Sequence, residues 1–141
     1  MNTIKIKFIA KNDILIILPL LKILNDFTSD EVLKERILKM SNQHYKCLGV
    51  FDNKKLIGIA GLWFLTRHYA GNVIEPDHVI IDESYRNLGL GKKLFDFIHH
   101  YAQNNNYDAI ELNTYVENIK SHNFYERMNY KKLGFHFVKK F

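Results

Sequence analysis

Val79-Ile80-Ile81-Asp82-Glu83-Ser84-Tyr85-Arg86-Asn87-Leu88-Gly89-Leu90-Gly91-Lys92 joins two segments whose apolar residues recur with different periods. Upstream is the end of an apolar run that reads as a strand. Downstream, Leu90, Leu94, Ile98 and Tyr101, with Phe95 and Ala102 beside them, mark one face of a helix that Asn104-Asn105-Asn106 ends. A helix's first amides have no intrahelical partner and carry partial positive charge. Glycines there let the backbone approach an anion closely, because no Cβ intervenes. With Arg86 and Lys92 at its ends, the turn has what a pyrophosphate needs. A glycine turn that merely opens a helix has the same pattern, so this segment alone decides nothing. The Walker pattern is absent, and the dinucleotide fingerprint lacks its third glycine and its early position.

Working outward, Thr3 to Ile9 alternates apolar residues with lysines, the period of a half-buried strand. Asn12 or Asp13 is expected to cap a helix running towards Asn25, bent at Pro19. Thr28 and Glu31 have capping-box spacing before a helix with Leu33, Ile37 and Met40 on one face. Strands follow over Tyr45 to Phe51, Leu56 to Arg67 and Val73 to Ile81, separated by turns at Asp52-Asn53-Lys54 and Ala70-Gly71-Asn72, and Pro76 implies a bulge or an edge. Beyond the central helix, the pattern predicts a strand over Ala109 to Val116, a helix over Ile119 to Met128 and a last strand over Lys131 to Val138. The order β-α-α-β-β-β-α-β-α-β describes an α/β (α+β) fold with a mixed sheet, helices on its faces and a parallel crossover between residues 79 and 116.

The chain has 141 residues with no repeat or linker-like stretch, so one domain over 1–141 is expected. Its hydrophobic fraction of 47% is ample for a core. The one cysteine, Cys47, excludes an internal disulfide and suits a reducing, cytoplasmic compartment, where it reads as a small buried strand residue. Ile14 to Leu24 contains Pro19 and Lys22 and is too short to span a bilayer, so no membrane role is expected. The net charge of +5 comes from scattered lysines, not a basic helix, so it argues for an anionic cofactor more than for nucleic acid. The seven histidines show no ligand spacing, and no metal is expected. Trp63 and Tyr69 read first as core, with an acceptor pocket as the alternative.

The stretch from Val79 to Gly91 resembles the acetyl-CoA motif of the GNAT acetyltransferase superfamily, an apolar strand and short loop followed by R/Q-x-x-G-x-G/A opening a helix. Downstream, Asn118-Ile119-Lys120-Ser121-His122-Asn123-Phe124-Tyr125-Glu126-Arg127-Met128-Asn129-Tyr130 is similar to the superfamily's second signature, N-x-x-A-x-x-F-Y-E-x-x-G-F. The element order matches across essentially the whole chain. Asn87, Ser121 and Asn129 depart from the usual glycine, alanine and glycine, and asparagine tolerates the positive φ such turns require.

The resemblance implies an acetyl-CoA-dependent N-acetyltransferase with a splayed parallel strand pair, the alternatives being a CoA-binding regulatory module without turnover or an O-acyl or longer-chain acyltransferase on the same fold. Arg86, Asn87, Leu88, Gly89, Leu90, Gly91 and Lys92 would hold the pyrophosphate. The backbone of Val79, Ile80 and Ile81 would pair with the pantetheine arm as an added strand, and an amide there would stabilise the thioester oxyanion. Asn118 would contact the cofactor, cap its helix, or both. Tyr125, otherwise a core aromatic, would protonate the departing thiolate. Glu75 is the first candidate for a general base, with Asp77 and His78 behind it. Strand alternation puts Glu75 and Asp77 on one face and His78 on the other unless a bulge resets it. Together with Asp82 and Glu83 these acids would draw a cationic acceptor, a small amine or a peptide amine. Members of the superfamily often dimerise through C-terminal strands, and Phe135, Phe137 and Phe141 are compatible with a homodimer.

Overall fold

Period-two alternation makes strands only where backbone partners exist, and the first 111 residues supply them. The computed structural model describes residues 3–141, as two compact units that divide between residues 111 and 112. In the first, β1 (Ile4–Phe8) is followed by a 3₁₀ turn (Lys11–Ile17), α1 (Leu18–Leu24) and α2 (Asp30–Ser41). Then come β2 (Tyr45–Asp52), β3 (Lys55–Arg67), β4 (Gly71–Ile81), a short 3₁₀ turn (Glu83–Tyr85), α3 (Leu90–Asn104) and β5 (Ala109–Ile110). The sheet has five strands in sequence order, antiparallel from β1 to β4 and parallel between β4 and β5.

Neighbouring residues on β3 show which helices cover which face. Trp63 packs with the core formed by Ile14, Ile17, Leu20, Leu21, Leu33 and Ile37 of the N-terminal helical segments. Phe64, pointing the other way, meets Tyr101 of α3 at 6.2 Å. Leu94, Phe95 and Ile98 of α3 are fully buried. Each such side chain removed from water contributes roughly 1.5–3 kcal/mol.

Several local expectations shift. The segment after β1 is a 3₁₀ turn whose N-cap is Ala10, not Asn12 or Asp13, and Pro19 lies in the first turn of α1, where its missing N–H costs nothing. Ser29 rather than Thr28 caps α2, accepting from the Val32 amide at 3.3 Å. Thr28 instead donates to Asn25 Oδ1.

One strand is shorter than its pattern and another is absent among the described residues. β5 ends at Ile110, although the alternation runs to Val116. Its last rung is the Glu111 amide donating to Ile74 O at 3.1 Å. The next bond of a parallel ladder would run from the N–H of residue 76 to the Glu111 carbonyl, and residue 76 is proline. The strand expected over Lys131–Val138 does not form. Among the described residues that stretch has no ladder partner, and Leu133, Phe135 and Phe137 are 91%, 82% and 91% exposed.

In the second unit Asn118 caps α4 (Ile119–Arg127), its Oδ1 accepting from the Ser121 amide at 3.2 Å. Asn129 leaves the helix with φ 69°, the left-handed conformation its sequence position required.

Candidate functional site

The connection from β4 to α3 is held at both ends and bare in the middle. Asp82 accepts from the Ser84 amide at 2.9 Å, and the Tyr85 hydroxyl donates to Asp52 Oδ2 at 2.8 Å, anchoring the loop to the β2–β3 turn. Leu90, buried, anchors the far end. Between them Asn87 and Gly89 take φ of 64° and 76°, and a Cβ built on Gly89 would meet nothing within 4 Å. Gly89 is the N-cap of α3 and provides no side chain, so the amides of Leu90, Gly91 and Lys92 have no capping partner there. Leu88 is exposed. Arg86 Nε donates to Ile81 O at 3.0 Å, and Lys92 pairs with Asp96 at 2.8 Å, placing two cationic groups at the turn.

Strand β4 carries a bulge, and the bulge sets which backbone groups face outward. Gly61 pairs with Asp77 and Ile59 with Ile80, so β4 has one extra residue in this interval. The bulge therefore lies at His78–Val79, not at Pro76, which keeps regular register opposite Leu62. The Asn72 and Ile74 carbonyls accept from Asp108 and Glu111, so even-numbered residues face β5 before the bulge. After it, the Asp82 amide donates to Ile57 O at 2.7 Å, so the even residues Ile80 and Asp82 face β3. Val79 and Ile81 consequently turn their polar groups outward, past the point where β5 stops. Of the three residues expected to line the cofactor arm, Ile80 is the one whose backbone is used inside the sheet. The Ile81 carbonyl is taken by Arg86, leaving its amide.

On the face shared with α1 and α2, β3, β4 and β5 assemble a polar cluster. Arg67 Nε donates to Glu111 Oε1 at 2.9 Å, and Arg67 Nη2 lies 3.4 Å from Glu75 Oε1, while the Tyr69 hydroxyl donates to Glu111 Oε2 at 2.7 Å. Burial raises the Glu75 carboxyl above its ordinary range against the opposing pull of Arg67, and Asp77 and Glu111 add to the rise. Glu111 goes the other way, lowered by its bonds to Tyr69 and Arg67, which outweigh its desolvation. Asp77 is held down at about 2, chiefly by His78, and accepts from Trp63 Nε1 at 3.2 Å. His78 lies on this same face, since the bulge overrides strand alternation. Tyr69 is not core; it is 65% exposed. Asp82 is engaged with its own turn, apart from the cluster.

In the second unit the Tyr125 ring lies 5.3 Å from Phe124 and 5.7 Å from Tyr130, and burial raises its phenol above the ordinary value. Asn118 fills the capping role its type favours. Among the described residues no group of three or more His, Cys, Asp or Glu side chains is placed to hold a metal, and no helix is long and apolar enough to cross a membrane.

The model of the acetyltransferase (GNAT) family matches residues 18–130. The chain belongs to the GNAT family. Among solved structures, the fold of this GNAT chain is shared with an aminoglycoside acetyltransferase from an uncultured soil metagenomic sample, at TM-score 0.84 and 19% identity over 99% of this chain and 97% of that one. It is shared too with a ribosomal-protein-alanine N-acetyltransferase from Brucella melitensis, at TM-score 0.83 and 17% identity over 99% and 100%. A tyramine N-feruloyltransferase from Nicotiana tabacum is 34% identical over 92 residues, 61% of this chain and 40% of that relative, so the match spans well under half of that protein.

Three residues of the polar groups around β4 escape the sequence reading. Arg67 and Glu111 lie 44 positions apart and meet only because β5 returns beside β4. Tyr45, whose hydroxyl meets His78 Nε2 at 2.6 Å, reads from the sequence only as part of a strand. No local pattern signals either pairing.

Proposed function

We propose that this protein is an N-acetyltransferase that moves the acetyl group of acetyl-CoA onto a primary amine by direct attack within a ternary complex. One observation carries the reading: the outward-facing backbone of Val79 and Ile81 runs directly into the uncapped amides of the Gly89 turn. An ordered pair of sites results, one for an extended amide-bearing arm and one for a diphosphate. In this reading Arg86, Asn87, Leu88, Gly89, Leu90, Gly91 and Lys92 embrace the pyrophosphate, and Asn118 adds a contact to the coenzyme.

The amine nitrogen attacks the thioester carbonyl carbon, the new C–N bond forms, and negative charge moves to the carbonyl oxygen. An outward amide of β4 stabilises that charge. The C–S bond then breaks, with Tyr125 giving its proton to the departing thiolate and Glu75 taking the proton the amine must lose. A free amine of pKa ~10.4 is scarce at neutral pH, so a base with a raised pKa matters. The cluster of Glu75, Asp77 and Glu111 favours a cationic small-molecule acceptor. The names of the aminoglycoside and tyramine enzymes, which are amine-directed, support an amine. A single buried thiol suits the cytoplasm.

The test is release of CoA from acetyl-CoA across a panel of small amines and peptides, followed with a thiol reagent, with a bulkier acyl-CoA run alongside because of the feruloyl relative. Cys47 is fully buried and its thiol is pushed up to about 12 by burial, so the protein adds no background. No thiol released with any amine would sink the proposal.

A further inference from the structure

The bulge that turns Val79 and Ile81 outward is not held by its own backbone. His78 sits at φ 30°, short of the left-handed well that begins at about φ +50°, so even a histidine holds this conformation only when its surroundings enforce it. Three contacts enforce it. The ring folds over Gly61, where a Cβ would collide with Nε2, Cε1 and Cδ2 of the imidazole. Its Nε2 meets the Tyr45 hydroxyl at 2.6 Å, and Tyr45 is itself buried. Its own amide donates to Asp77 Oδ1 at 2.9 Å, while Nδ1 lies 3.6 Å from Asp77 Oδ2. A carboxylate beside Nδ1 favours the proton on that nitrogen, which leaves Nε2 to accept from Tyr45. The imidazole is 8% exposed, and the Trp63 ring packs tilted against Tyr45 at 4.9 Å. Cys47 and Asp77 are the other titratable neighbours of Tyr45, and burial keeps the phenol and thiol neutral.

None of these groups takes a proton or a bond in the acetyl transfer. What they control is register. Without the extra residue, β4 would pair one position differently after Asp77, and the outward set would change from Val79 and Ile81 to Ile80. We infer that Tyr45, Gly61 and His78 form a lock that keeps the β4 bulge in place, making them positioning residues for the thioester arm of acetyl-CoA. The inference rests on the acyl-CoA reading of the β4 edge and adds the residues that impose it.

Tyr45→Phe removes the hydroxyl and keeps the ring; Gly61→Ala puts a methyl group where the imidazole lies. Binding of acetyl-CoA is compared with binding of its phosphoadenosine diphosphate half, which uses the Gly89 turn but has no arm. Each variant should lose about tenfold in acetyl-CoA affinity and in kcat/KM, while the diphosphate fragment binds within about twofold of wild type. Equal weakening of both ligands, or no change in either, would overturn the lock. If Gly61→Ala fails to fold, the two affinities of Tyr45→Phe decide the matter by themselves. Wild-type protein that binds neither ligand would remove the acyl-CoA reading itself, and the lock with it.

Discussion

A phenol of ordinary pKa ~10 holds its proton at neutral pH, and burial moves Tyr125 further in that direction, as its proposed role as proton donor to the thiolate requires. Replacing it with phenylalanine should lower kcat by ~10²-fold with little change in the KM for acetyl-CoA, measured by steady-state kinetics. As the proposed base, Glu75 must act from its ionised form. Because its carboxyl is raised, the rising limb of kcat/KM against pH should lie above the ordinary glutamate range, and Glu75→Gln should abolish that limb. Asp77 answers to a different pressure. Its carboxyl, held at about 2, is ionised throughout the working range. A depressed acid contributes stability that is present above its unfolded value of ~3.9 and is lost as pH falls towards the folded one. Wild type should therefore lose stability between about pH 4 and pH 2 in acid titrations followed by circular dichroism, and Asp77→Asn should show a shallower loss. The sequence identifies Glu75 and Asp77 by type and place. It does not show that His78 joins them, because a single inserted residue reverses strand parity.

The β4–α3 connection was legible because two signals agree there, a change of period and glycines at the change. The element's end is subtler. Pro76 is visible in the sequence and rightly marks trouble for a ladder, but the trouble falls on the β5 side, while the bulge lies two residues later. Pro76→Val would return the missing donor. The parallel pairing should then extend past Glu111, raising the melting temperature while raising the KM for acetyl-CoA. A variant that changes neither would show that proline is not what stops β5. The stretch from Lys131 to Val138 illustrates the limit of pattern reading. Its alternation is as clean as that of β1, yet a strand exists only where another edge accepts its hydrogen bonds, and the stretch itself does not say which edge that is.

At the scale of the molecule, the first unit is a sheet covered on both faces, and β4 presents two kinds of group, one at its edge and one on a face. The backbone serves the outer edge, and carboxylates serve the face shared with α1 and α2. The buried sheet and α3 were readable from hydrophobic periodicity, because every fully covered strand is apolar through its middle. The Arg67–Glu111–Tyr69 cluster was not, because it depends on where the last crossover returns. The unpaired amides of β4 also have a consequence in the protein's life without ligand. A bare strand edge is a template on which any extended chain can add. An acyl-CoA arm would occupy that template, so the ligand doubles as a guard against unwanted association. Warmed at high concentration, apoprotein should scatter light as β-rich particles accumulate, and a non-reactive CoA thioether should delay their onset. Equal onset with and without the thioether would show that aggregation starts elsewhere.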